Sequence, residues 1–145
     1  MQNLQTAIYI ALALNFIIGF FFCLAIRNAL LQVQEENRAL PMATVWLLLI
    51  PVFSLIWIFI VVQRVSQSIE AELHERNFEV DEKPAYIIGM SYAVTSLIMI
   101  FPFPALLQFV FGIAGLIFFI QYWLKINWYK RILKDDADQE KTEEL

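Results

Sequence analysis

His74 is the single histidine of the chain, and Glu70, Glu72 and Glu75 lie close to it in sequence. An imidazole among carboxylates can hold a transition metal. At helical spacing, however, only Glu70, four residues earlier, shares its face. No second histidine exists to complete a ligand set. The expectation is a solvated charged face, with no metal and no cofactor. The one cysteine, Cys23, follows Phe20, Phe21 and Phe22. A lone cysteine excludes an internal disulfide and any cysteine-cluster metal site, and this one reads as a buried, apolar-like side chain. The apolar stretches also lack the axial ligands that haem needs. No nucleophile–base motif, glycine-rich phosphate loop or nucleic-acid-binding pattern occurs. The reading is therefore of a protein without catalytic residues, not an enzyme and not a partner of nucleic acid.

A second set of polar groups sits inside the apolar stretches. Asn15, Ser91, Thr95 and Gln108 are the candidates for intramembrane polar contacts, with Ser54, Tyr92 and Ser96 beside them. An amide in hydrocarbon needs a partner, and a helix–helix hydrogen bond of this kind contributes roughly 1 kcal/mol or less. Substrate contact is the functional alternative. None of these groups is a carboxylate, Lys, Arg or His. An ionisable side chain within a span marks a functional site by default, so this absence weighs against a proton relay, an ion-driven carrier or a charge-lined channel.

The elements that carry these residues follow from composition. Of 145 residues, 60% are hydrophobic and only 17% charged, with a mean hydropathy of +0.64. A soluble domain carries about 25% charged residues. Four charge-free windows, 7–26, 43–62, 85–103 and 105–124, each approach the roughly 20 apolar residues that a bilayer span needs. Backbone groups in hydrocarbon must bond within their own segment, so each window is expected to be a helix. Period-two alternation, the mark of a membrane strand, is missing. Four such helices in a soluble core would leave too little chain for a polar shell. Residues 1–6 carry no Lys or Arg, so a retained first helix is expected rather than a signal peptide.

The predicted architecture is an all-α, four-transmembrane-helix bundle over residues 1–134, followed by an acidic disordered tail, 135–145. Cytoplasmic flanks are enriched in Lys and Arg. Arg27 and Arg38 lie between the first two spans. Arg64, Arg76 and Lys83 lie in the middle connection, and Lys125, Lys130, Arg131, Lys134 and Lys141 follow the fourth. With four spans the bias favours both termini in the cytoplasm, N-in and C-in. Tyr122, Trp123, Trp128 and Tyr129 among those lysines suit the headgroup level, and the helix is expected to continue to about Leu133.

Val65, Ile69 and Leu73 recur every four residues on a cytoplasmic helical extension, 63–77, that should stop at Asn77. This stripe can pack within the chain or serve as a partner-binding surface. Pro51, inside the second window, is expected to kink its helix. The Phe101–Pro102–Phe103–Pro104 run should form a tight joint. Pro41 precedes residues 54–68 by the same distance that Pro102 precedes residues 115–129, which makes the two helical hairpins candidate repeats.

The segments 46–69, 86–94 and 117–133 together resemble uncharacterised four-helix bacterial membrane proteins of the Bacteroidetes type. The resemblance spans most of the chain and implies no activity and no catalytic residue. The function expected from these readings is that of a noncatalytic, multi-pass protein of the bacterial inner membrane. It would be an accessory or structural subunit or a self-associating scaffold, with membrane lipids, further copies or another membrane protein as partners. The alternative is an oligomeric small transporter or channel. Its signature would be convergence of Asn15, Ser91, Thr95 and Gln108 on one cavity.

Overall fold

In the computed structural model the described residues, 2–79 and 83–143, are predominantly helical, with no strand among them. Four α-helices follow one another, α1 (Gln2–Leu30), α2 (Pro51–Glu75), α3 (Tyr86–Ile98) and α4 (Ala105–Glu143). Two 3-10 segments, Glu35–Asn37 and Met42–Leu49, lie between α1 and α2. Helices α1, α2 and α4 are long and apolar enough to cross a membrane, which points to a membrane protein; α3, with 13 residues, is shorter.

The second apolar window is not one helix. Residue 50 is extended (φ −83°, ψ 110°), and Pro51 occupies the first turn of α2. Proline disfavours helical geometry in the residue before it and lacks the amide that would continue the ladder. At the start of a helix that missing donor costs nothing. The chain therefore climbs through Met42–Leu49, turns at Ile50, and comes back as α2. The Trp57 indole N–H donates to the Thr44 carbonyl at 2.9 Å and ties the two limbs together. The kink expected at Pro51 is instead the apex of a helical hairpin.

That turn changes the path of the whole chain. Leu49 meets Gly19 on α1, and Cys23 lies 3.5 Å from the Val45 carbonyl. At the other end of the hairpin, Glu72 on α2 accepts from the backbone N–H of Gln34. Arg76 donates to the carbonyls of Gln32 and of Leu133 on α4. The connection after α1, the connection after α2 and the second half of α4 thus share one end of the molecule. The expected outer loop, 28–42, touches the expected cytoplasmic loop, 64–84, so four alternating spans with both termini on one side do not fit. Helices α1, α2 and α4 run toward this end, and α3 runs away from it. The two expected hairpins are consequently not repeats of each other, because α1 and α3 point in opposite directions.

All ten Lys and Arg side chains belong to segments gathered at this end, which we call the charged end. The buried core lies toward it as well. Phe22 on α1 meets the rings of Tyr92, Phe119, Tyr122 and Trp123 at centroid distances of 5.0–6.4 Å. Val61, Val62 and Ile126 are buried around this hub. A Cβ on Gly89 would sit 2.6 Å from Val62 Cγ1 and 2.7 Å from Tyr122 Cε2, so the crossing of α2, α3 and α4 requires glycine there. Val65, Ile69 and Leu73 are 0%, 0% and 2% exposed. The stripe faces inward and presents no open surface to a partner.

Helix α2 ends as expected at Asn77, whose φ of 59° is left-handed. Phe78 N–H bonds to the Leu73 carbonyl and Asn77 N–H to the His74 carbonyl, the paired bonds of a Schellman cap. Helix α4 does not stop near Leu133 but continues to Glu143, and Arg76 bonds to the Leu133 carbonyl at its last buried turn. The part of the predicted disordered tail up to Glu143 is therefore helical. Residues 144 and 145 of that tail, and 80–82 of the middle connection, lie outside the described residues.

Candidate functional site

Two polar constellations emerge, one at each level of the molecule. The first is a cleft of about 590 Å³ where α1, the hairpin apex, α3 and α4 meet. Asn15, Pro51, Ser54, Tyr92, Thr95 and Ser96 are among its lining residues. Asn15 is fifteen residues from the end of α1 at Leu30, or about 22 Å by helical rise, which puts the cleft deep in the apolar zone. Of the four expected intramembrane contacts, the fold brings Asn15 and Thr95 to this cleft and leaves Ser91 and Gln108 outside its lining.

The hydroxyls are satisfied within their own helices. Ser54 donates to the Pro51 carbonyl at 2.7 Å, Thr95 to Ser91 at 2.7 Å and Ser96 to Tyr92 at 2.9 Å. Ser91 donates to Ile87 at 2.9 Å. Such bonds to the preceding turn meet the hydroxyl's need without a neighbour. Asn15 differs, since its amide is exposed and makes no hydrogen bond among the described residues. The cleft can hold an apolar or weakly polar group, and it presents one amide that still wants a partner. Among the described residues, no ionisable side chain but that of Tyr92 lines it.

The second constellation lies at the charged end and was not anticipated from sequence. Glu72 is fully buried. One of its oxygens accepts from Gln34 N–H at 2.8 Å and Asn37 Nδ2 at 2.9 Å. The other accepts from Arg76 Nε at 2.9 Å and from its terminal nitrogen at 2.7 Å. Arg76 also pairs with Asp136 of α4 at 3.0 Å, and Asn37 reaches Glu75 as well. Burial alone would raise the Glu72 carboxyl. The Asn37 amide, the Gln34 N–H and the Arg76 guanidinium outweigh it and hold the group below the ordinary carboxylate range. Burial would likewise lower the Arg76 guanidinium, but Glu72 and Asp136 raise it above its usual value. The pair is charged and saturated with bonds, so it clamps three segments rather than offering a reactive group.

No family model, curated protein or solved structure matches this chain.

The sequence did hold a signal for the clamp. Glu72 and Arg76 are four residues apart on the face that continues Val65, Ile69 and Leu73. An acid and a base extending an apolar stripe at helical spacing mark a paired, buried position. His74 is exposed on the opposite face, while Glu72 and Glu75 point to Asn37. Among the described residues no group of three His, Cys, Asp or Glu side chains comes together to hold a metal ion.

Proposed function

We propose that this chain is a noncatalytic membrane protein that acts through association, as an accessory or structural subunit or a self-associating scaffold. Asn15 carries the reading. It is an exposed amide in the middle of a charge-free window, at a cleft deep in the apolar zone, without a hydrogen-bond partner among the described residues. An amide in hydrocarbon is satisfied by a neighbouring helix. The surroundings support the same view. Residues 3–18 of α1 are exposed on every face, and lipid or another helix must cover them.

In this reading the charged end faces the cytoplasm, since ten basic residues lie there and none at the other end. The amino terminus then lies across the membrane from the carboxyl terminus. The resemblance to bacterial four-helix membrane proteins makes the inner membrane the expected location.

The test is native mass spectrometry of the protein extracted gently from its own membrane. A second copy or a different membrane protein at fixed ratio is expected, with Asn15→Leu weakening the assembly severalfold. Monomers alone, from wild type and variant alike, would overturn the association reading. A second reading, an oligomeric small transporter or channel, draws on the interruption at Ile50. The first turn of α2 opens beside the cleft, an arrangement that broken helices use to line substrate paths. Solute flux through proteoliposomes holding a pure homo-oligomer would favour it, and sealed vesicles would remove it.

A further inference from the structure

A second cavity, of about 620 Å³, lies where the apolar zone meets the charged end. Its wall carries two lysines from different segments, Lys83 ahead of α3 and Lys125 on α4. Lys125 directly follows Leu124, the last residue of a charge-free window. Each ammonium lies over an aromatic ring, Lys83 Nζ 5.4 Å from the centre of Tyr86 and Lys125 Nζ 5.7 Å from that of Trp128. Neither makes an ion pair among the described residues. Among the described residues of the wall, Glu79 is the single acid against the two lysines. Phe78 and Tyr129 complete the aromatic part.

The apolar side of the same cavity is built by Leu73, Ile88 and Ile132, and by Ile87, which is 63% exposed. Leu124, one helical turn before Trp128 on α4 and so on the same helix face, is 65% exposed on the side away from the charged end. One wall thus joins two ammonium groups, a belt of interfacial rings and an apolar surface that continues into the zone of the spans. Aromatic rings and long basic side chains settle at the headgroup level, and basic pockets beside membrane helices hold anionic headgroups.

We propose that this cavity binds an anionic phospholipid of the host membrane. Its phosphodiester would lie against Lys83 and Lys125, its acyl chain along Ile87 and Leu124. A zwitterionic lipid carries its own cation and gains less from two lysines; a free phosphate gains nothing from the apolar wall. The proposal rests on the membrane reading above, and its test separates the two. A chain that stays in the aqueous fraction after membrane separation sinks both, whereas a membrane-bound chain without headgroup preference sinks this one alone.

The experiment presents the full-length protein in mild detergent with dioleoyl phosphatidylglycerol and dioleoyl phosphatidylcholine in equal amounts. Retained lipid is counted by native mass spectrometry. Wild type is expected to keep phosphatidylglycerol in preference. K83Q/K125Q should lower that retention by about tenfold, while K83R/K125R preserves it. Arg131→Gln, at an exposed position outside the cavity, should leave retention unchanged. Equal retention of the two lipids by wild type overturns the proposal whether or not the variants fold. So does a K83Q/K125Q protein that retains phosphatidylglycerol as wild type does. Displacement of the lipid by millimolar inorganic phosphate would reveal a simple anion site and overturn it also.

Discussion

Glu72 and Arg76 show what a single buried pair decides. The carboxylate is closed off from solvent, and its oxygens are filled by donors from its own helix and from the connection after α1. Removing one partner from such a pair leaves an uncompensated buried charge, at a cost of about 3–5 kcal/mol. Glu72→Gln is expected to lower stability by roughly that much, measured as denaturant or thermal unfolding in detergent. The folded-state pKa of Glu72 lies below its unfolded value. Its contribution is therefore fully present above the ordinary carboxylate pKa of about 4.3 and is lost as pH falls through the folded value. Wild-type stability should drop on acidification in that window, and Glu72→Gln should flatten this part of the profile. Tyr122 makes the opposite case. Its hydroxyl is buried without a hydrogen-bond partner among the described residues, so Tyr122→Phe removes an unsatisfied group and is expected to leave stability equal or higher by about 1 kcal/mol. A clear loss in the same assay would mean that the hydroxyl has a partner.

At the scale of elements, backbone geometry governs where helices stop and cross. Asn77 holds φ at 59° to close α2 with its Schellman bonds. Glycine accepts that conformation freely, and other L-residues lose about 1–2 kcal/mol there. Asn77→Gly should be neutral or stabilising, and Asn77→Val should cost about that amount; equal unfolding midpoints for the two would refute the role of the cap. Gly89 sets the approach of α2, α3 and α4. With Val62 and Tyr122 less than 3 Å from where a Cβ would stand, Gly89→Ala is expected to destabilise by about 1–3 kcal/mol through overpacking. Pro51 begins α2 instead of bending a longer helix, because residue 50 is extended. That one dihedral choice turns an apparent span into a hairpin.

The whole molecule is a body at the charged end with helices rising from it. Buried hydrophobics run through Phe22–Val33 of the first segment, the returning half of α2, the start of α3 and α4 from Tyr122 to Leu133. Residues 3–18 of α1 and most of the first turns of α4 are exposed. This arrangement makes a topology prediction that the sequence pattern alone would reverse in part. Cysteines placed at Gln5, Glu35 and Glu140 should report Gln5 on one side of the membrane and the other two together on the opposite side. An impermeant maleimide added to intact cells is expected to label Gln5→Cys and to spare Glu35→Cys and Glu140→Cys. Labelling of Glu35→Cys with protection of Gln5→Cys would restore the alternating four-span path.

Charge and hydropathy alone determined that this chain is helical and rich in apolar segments, that its charges avoid those segments, and that α2 continues beyond its window and stops at Asn77. These are local properties, set by side-chain solvation and backbone propensity within a few turns. The stripe of Val65, Ile69 and Leu73 was legible as an apolar face, but not what covers it. The tertiary structure alone decided the hairpin at Pro51, because a proline in an apolar run is compatible with a kink or a helix start. It also brought Gln34, Asn37, Arg76 and Asp136 around Glu72, gathered Asn15 and Thr95 at one cleft, and left Ser91 and Gln108 outside it. Such juxtapositions depend on the direction of each helix. Direction follows from the parity of turns along the chain, so one misread turn reverses the expected side of every terminus and loop that precedes it.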